Sequence, residues 1–184
     1  MVTGPSGVGK TYLAEQLILK HPLLVEQIKL FTTRTSRPNE HLADRIFISE
    51  KEFREKKLRG DFLIAEKFHE NWYGYTKSAL KPTYKHLIVN AWPDLLPKFE
   101  KIPNICLIGL TSEKTDIELL KKRMLERGDS TSNVTERLKL VRKDISDLKI
   151  HEKIVREYGK LFNVTNDRII HQKVIPWIEK VMQA

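Results

Sequence analysis

Eight residues near the start constrain this chain more than any others: Gly4-Pro5-Ser6-Gly7-Val8-Gly9-Lys10-Thr11. They follow the spacing G-x-x-x-x-G-K-[ST] and run directly into the helix-forming stretch Tyr12-Leu13-Ala14-Glu15-Gln16-Leu17. Glycines at these positions let the backbone curl until its N–H groups converge on a phosphate, and the positive end of the following helix adds to the attraction. A loop of this kind joins a strand to a helix, which commits the chain to an α/β fold. Gly4, Pro5, Ser6, Gly7, Val8, Gly9, Lys10 and Thr11 are therefore expected to cradle ATP. Lys10 bridges the β- and γ-phosphates, and the Thr11 hydroxyl ligates Mg²⁺. Such a loop ordinarily hangs from a buried strand of several residues, yet only Met1, Val2 and Thr3 precede Gly4. The strand is short, or the chain is truncated before it.

Apolar or β-branched runs occupy 28–33, 86–90, 104–110 and 161–165, and a helix-like stretch follows each of the last three. That alternation predicts a parallel sheet flanked by helices. Helices are predicted over 10–20, 113–126, 133 to about 158, and 174–182. In the longest, Val134, Leu138, Val141, Ile145 and Leu148 recur at helical spacing and mark a buried stripe. Leu13, Leu17, Ile178 and Val181 are read as core-facing in the same way. Two stretches break the rhythm, 32–76, dense in Arg, Glu and Tyr, and 123–137, dense in Arg, Gly and Ser. Both read as insertions at the functional end of one domain spanning 1–184.

Thirty-three Lys and Arg against 24 Asp and Glu give a net charge of +9, which favours anionic partners. The basic residues are spread along the chain and no aromatic-interleaved RNA-binding motif occurs, so nucleic-acid binding ranks well below binding of small phosphates. No stretch reaches transmembrane length, and no basic segment leads into an apolar one at the start. A cytoplasmic setting with no membrane partner is expected by default. Cys106 is the single cysteine and lies in the apolar run Ile105-Cys106-Leu107-Ile108. It reads as a buried strand residue, and neither a disulfide nor a zinc site follows from it.

The acceptor side is read from Thr32-Thr33-Arg34-Thr35-Ser36-Arg37-Pro38-Asn39-Glu40, where two arginines follow a strand. A pair of guanidinium forks suits the dianionic oxygens of a phosphate monoester. Taken alone, the pair fits two solvated arginines in a polar loop as well. Asn71-Trp72-Tyr73-Gly74 adds a phenol able to donate to the same phosphate, and Arg123-Met124-Leu125-Glu126-Arg127-Gly128 opens the second insertion.

These pieces, in this order, resemble the guanylate kinase family, and the resemblance runs through nearly the whole chain. That family's pattern is a phosphate loop, T-T-R-x-x-R-x-x-E, F-[LI]-E with G-N-x-Y-G, and an R-x-x-x-R-G lid. The resemblance implies a P-loop kinase fold with a core of 1–31, 77–122 and 138–184. It also implies an acceptor-binding insertion at 32–76 and a lid at 123–137. It places Arg34, Arg37 and Tyr73 on the acceptor phosphate. Arg123, Arg127 and Arg137 fall on the ATP phosphates and the transferring group. Asn166, in Asn166-Asp167, matches the family's V-N-D-D segment near the adenine.

The departures fall on one half of the pattern. The family's guanine-reading glutamate aligns with Ile64 in Phe62-Leu63-Ile64, and its guanine-reading aspartate aligns near Asn90 in Ile88-Val89-Asn90-Ala91. A second phosphate-binding tyrosine is replaced by Arg45, and Glu66 lies two positions beyond Ile64. Val89-Asn90 followed by Leu95-Leu96-Pro97 is similar to the ribose 1,5-bisphosphate phosphokinases, whereas Thr32 to Glu40 is closer to guanylate kinases. Three readings follow: a kinase acting on GMP or dGMP, a kinase acting on ribose 1,5-bisphosphate, and a non-catalytic module that binds phosphoproteins. A complete triphosphate cradle argues against the third.

Overall fold

The computed structural model describes residues 1–36, 44–68, 70–81, 83–112, 117–126, 128 and 130–183. In chain order the elements are β1 (Val2–Thr3), α1 (Lys10–Lys20), β2 (Val25–Gln27), β3 (Leu30–Thr32), β4 (Arg45–Phe47) and α2 (Glu50–Leu58). Next come β5 (Phe62–Phe68), β6 (Asn71–Thr76), β7 (His86–Ile88), β8 (Asn90–Ala91), α3 (Leu96–Phe99), β9 (Leu107–Thr111) and α4 (Ile117–Glu126). The chain ends with α5 (Thr131–Ile150), α6 (Glu152–Tyr158), β10 (Gly159–Asn163), α7 (Asp167–Ile169), a π-turn at Ile170–Val174 and α8 (Ile175–Met182). They form two compact units, one from Met1–Pro22 with Ile88–Ala184 and the other from Leu23–Leu87. No described helix is long and apolar enough to cross a membrane.

The first unit is built on a four-stranded sheet in the order β10-β9-β1-β8, and every pairing in it is parallel, as the βα alternation predicts. β1 is only two residues long, but it is central: Val2 is paired with Asn90 on one side and Ile108 on the other. Parallel strands need crossover connections, and the helices that supply them cover the sheet. Leu13 and Leu17 of α1 and Val134, Val141, Ile145 and Leu148 of α5 are buried, as their spacing requires, whereas Leu138 of the same stripe is half-buried. Ile170, Val174, Ile175 and Ile178 close the core at the end of the chain.

Several boundaries differ from the sequence reading. The helix expected as one piece over 133 to about 158 is two, α5 and α6, joined at His151, whose backbone leaves the helical region at φ −97°, ψ 14°. The strand expected over 86–90 is divided at Val89 into β7 and β8, which belong to different sheets. Helical structure begins at Asp167, well before 174, and passes through the π-turn. Val181 is exposed, because it lies in the final turn of α8, past the buried face that ends at Ile178. Cys106 is only half-buried, since β9 begins at the next residue; its carbonyl accepts a hydrogen bond from the Met1 nitrogen at 2.6 Å.

The second unit holds most of the stretch read as a polar insertion, and it has a core of its own. Its four-stranded sheet runs β4-β3-β6-β5, with β3 and β4 parallel and the β3–β6 and β5–β6 pairings antiparallel. β2 and β7 form a separate two-stranded sheet. Helix α2 starts at a capping box in which the Ser49 hydroxyl accepts from the Glu52 N–H while the Glu52 carboxylate accepts from the Ser49 N–H. Its one buried residue, Phe53, stacks on Phe62 with ring centroids 4.5 Å apart and lies 5.7 Å from Trp72. Lys57 covers the same indole at 4.0 Å. Aromatic payload, rather than helical amphipathicity, fixes α2 to the sheet. Phe53→Ala should therefore destabilise the chain by about 3–5 kcal/mol, read as a lower urea midpoint; a loss under about 1 kcal/mol would mean that α2 is held some other way.

Candidate functional site

Gly4 leaves β1 with φ +146°, and a Cβ there would stand 2.1 Å from the Leu110 carbonyl oxygen. Only glycine lets the loop turn so close to the end of β9. Gly9, at φ 110° and ψ 15°, is the residue before α1 and supplies no side-chain cap to the first helical turn. That turn also carries no acidic residue, which leaves a helix end suited to an external anion. The Lys10 ammonium folds back on the loop, where Nζ donates to the Gly4 carbonyl at 2.6 Å and the Pro5 carbonyl at 2.9 Å. Thr11 is exposed in the first turn of α1. Its hydroxyl is the hard oxygen donor that Mg²⁺ prefers, and Mg²⁺ fills its shell with phosphate oxygens and water rather than a protein cage. Among the described residues no group of three or more His, Cys, Asp or Glu could hold a metal ion.

Behind the loop stands a residue that the sequence reading passed over. Asp144 of α5 is 4% exposed, and the charge of Lys10 acts on it. Burial pushes its carboxyl up to about 6; Lys10, the Ser6 N–H and Lys143 pull it down, and Asp94 pushes it up. A signal was present in the sequence: Asp144 sits between Val141 and Ile145 on the apolar stripe of α5, a place where an unpaired charge is rare.

Arg123, near the end of α4, lies between the loop and the segment before α8. Its Nη2 donates to the Asp167 carboxylate at 2.7 Å, and its Nη1 reaches the Gly7 carbonyl at 3.5 Å. Asn166 is exposed immediately before α7, with Nδ2 donating to the Thr165 hydroxyl at 3.4 Å. Arg137 lies half-buried on α5, two turns before Asp144. Arg127 lies outside the described residues. The described part of 123–137 consists of the end of α4, Gly128, Ser130 and the start of α5.

The second unit holds the other candidates. The Thr32 hydroxyl accepts from the Arg34 N–H at 3.2 Å, and the Thr33 hydroxyl accepts from the Trp72 N–H at 2.9 Å. The two threonines thus fix the point at which the chain leaves β3 and Arg34 begins. The Arg34 guanidinium donates to the Thr35 carbonyl at 2.6 Å and lies 5.4 Å from the centre of the Phe47 ring. Arg37 lies outside the described residues. Tyr73 is paired with Thr32 on one side and Glu66 on the other, and Ile64 is paired with Tyr75. Directly paired residues share a face of a sheet, so Thr32, Tyr73, Tyr75, Ile64 and Glu66 belong to one face. Ile64 is buried there, whereas Glu66 is half-exposed. Arg45 begins β4 with its Nε 3.6 Å from the Asp44 carboxylate. Asn90 belongs to the first unit, in β8 beside Val2. The phosphate loop, Arg123, Arg137 and Asn166 are thus carried by one unit, and Arg34, Tyr73 and Ile64 by the other.

The sequence model of the guanylate kinase family matches residues 1–159. A guanylate kinase of Wolbachia sp. subsp. Brugia malayi is 29% identical over 155 residues, covering 79% of this chain and 77% of that protein. One from Helicobacter pylori is 31% identical over 148 residues, covering 75% of this chain and 68% of that protein. Among solved structures, the crystal structure of guanylate kinase from Anaplasma phagocytophilum superposes with a TM-score of 0.67 at 14% identity, covering all of this chain and 86% of that one. That superposition establishes the fold, a parallel sheet flanked by helices.

Asp144 also makes a prediction about stability. In the folded chain its proton is held to about 6, against an ordinary value of 3.8, so the folded state binds more protons between those values. This group's contribution therefore favours folding less as pH rises through that window and is constant above it. In a series of melting curves, the Asp144→Asn variant should gain in Tm relative to the unaltered chain from about pH 4 to about pH 6, with a constant difference above about pH 7. A difference that does not vary with pH would mean that the carboxyl titrates normally.

Proposed function

The chain belongs to the guanylate kinase family, and we propose that it moves the γ-phosphoryl group of ATP onto GMP, releasing ADP and GDP. The observation that carries the reading is the Lys10 ammonium folded over the Gly4 and Pro5 carbonyls, beside a helix end without a side-chain cap. In the first unit the loop N–H groups and α1 receive the β-phosphate, and Lys10 turns from the carbonyls to the β- and γ-oxygens. The Thr11 hydroxyl would hold Mg²⁺ together with the phosphates, and the ion would supply neutralising charge for the transferring group. Arg123, Arg127 and Arg137 add positive charge on the same group, and Asn166 lies on the adenine side. Arg34, Arg37 and Tyr73 hold the acceptor phosphate. Phosphoryl transfer requires little covalent help from protein, so positioning and charge account for the catalysis.

In the same reading 32–76 binds the acceptor and 123–137 is a lid over a core of 1–31, 77–122 and 138–184. Lid closure excludes water and suppresses hydrolysis of ATP. A cytoplasmic setting, where both nucleotides are found, belongs to this proposal. Neither a ribose 1,5-bisphosphate acceptor nor a non-catalytic module is favoured by the relatives, which are named as guanylate kinases.

The base-reading side is the altered half. Ile64 is buried and offers no acceptor to a guanine N1–H and N2–H₂. Glu66 shares its face, stands opposite Tyr73 and keeps a partly exposed carboxylate, which supports Glu66 as the group that reads the base. Purified protein with ATP and Mg²⁺ should release ADP on addition of GMP in a coupled assay; release with another monophosphate but not with GMP would overturn the acceptor. Lys10→Ala should lower kcat by about 10³-fold, because the contact serves the transition state more than the ground state. Near-normal kcat would remove Lys10 from the mechanism. Glu66→Gln should raise KM for GMP about tenfold and leave KM for ATP within about twofold. Equal changes in both would return the guanine contact to another residue.

A further inference from the structure

Two of the phosphate-loop glycines are met by elements from elsewhere in the first unit, and one ion pair joins those elements. A Cβ at Gly7 would stand 3.0 Å from the Leu120 carbonyl oxygen of α4, and one at Gly9 would stand 2.8 Å from Ile170 Cδ1. The helix α4 and the segment after β10 therefore both lie against the loop. Arg123 follows Leu120 by three residues, close to one helical turn, so it emerges from the same side of α4. Its Nη1 reaches the Gly7 carbonyl at 3.5 Å, and its Nη2 donates to the Asp167 carboxylate at 2.7 Å. Asp167 opens α7 and Ile170 opens the π-turn, so the carboxylate and the contact with Gly9 belong to one short helical stretch. Widened turns of this kind are frequent at working sites. His171, in the same turn, meets the Tyr12 hydroxyl of α1 at 2.7 Å, which ties the stretch to the helix that follows the loop.

We propose that Asp167 is a positioning residue for Arg123, holding its guanidinium beside the Gly7 carbonyl so that the arginine is already oriented when a nucleotide occupies the loop. An arginine side chain has many rotamers, and ordering it is costly unless a strong partner selects one. Of its two contacts, the one to Gly7 is too long to make that selection. The one to Asp167 is short and charge-assisted. Exposure is divided in the same sense, since the Arg123 side chain is 17% exposed and that of Asp167 is 63%. A pair so open to water adds little to the stability of the fold, so its effect falls on where the arginine stands. A carboxylate beside a triphosphate site also repels the ligand. The two effects have separate signatures, because orientation of Arg123 acts on kcat and repulsion acts on KM for ATP.

This inference rests on the ATP-dependent reading of the same loop, and its first test needs no nucleotide. In the full chain without ligand, NMR relaxation of the Arg123 Nε–H should show a side chain as ordered as the backbone around it. In Asp167→Ala the same group should become as mobile as an exposed arginine. Equal order in both chains would overturn the inference, whether or not the protein turns over GMP. The second test is kinetic. Asp167→Ala should lower kcat about fivefold without raising KM for ATP, and should leave KM for GMP within about twofold. Asp167→Asn keeps an oxygen for the guanidinium and should lose about twofold in kcat. Placed in an Arg123→Met chain, Asp167→Ala should lower kcat no further, because a residue that acts through Arg123 has nothing left to act on. A fivefold loss in that background as well, or a rise in both KM values with kcat unchanged, would give Asp167 some other role and overturn the proposal. Absence of GMP turnover by the unaltered chain would defeat the proposed acceptor alone, and the relaxation measurement would still decide the positioning of Arg123.

Discussion

Val2 and Thr3 are held on both sides, by β8 and by β9, and that pairing determines where the phosphate loop begins. Two residues make a poor strand on their own. Here they are central in a parallel sheet, so neighbours supply the ladder that their length does not. Gly4 follows with a backbone that only glycine adopts easily, pressed against the Leu110 carbonyl at the end of β9. From that point Lys10, the start of α1, Arg123 and Asp144 take positions relative to one loop. Sheet pairing, rather than any single side chain, sets the geometry on which the chemistry depends.

The charges around the loop are balanced unevenly. Lys10 donates to two carbonyls, and Arg123 forms an ion pair with the Asp167 carboxylate. Asp167 is largely exposed, so its pair with Arg123 is screened and weakly bound.

Much of this was legible in the sequence where a short pattern carries a backbone requirement. The spacing of three glycines and a lysine identified the loop, and α1 begins and ends at the residues expected, Lys10 and Lys20. Stripes such as Leu13 with Leu17, or Val141 with Ile145 and Leu148, showed the buried faces. The second unit was largely hidden, because α2 has a single buried residue and its strands interleave charged with aromatic positions; such elements are stabilised by packing across the sheet, which no local period reveals. His151 broke a helix whose apolar stripe gave no warning. Asp144 escaped notice because it interrupts a stripe otherwise read as core. Arg37 and Arg127 were named from sequence and lie outside the described residues.

The pairing of β5 with β6 shifts between Phe62 and Ile64, where two steps along β5 match a single step along β6. Leu63 is the surplus residue and is half in solvent. Phe62 can therefore pack on Phe53 while Ile64 and Glu66 turn to the opposite side with Tyr73. The hairpin tolerates a change of length at Leu63 without exchanging its two sides, whereas a residue gained or lost after Ile64 would invert everything toward the tip. Positions counted from the phenylalanine and positions counted from the tyrosine are consequently two different rulers. An ancestor or descendant one residue shorter at Leu63 would keep the same chemistry under shifted numbers.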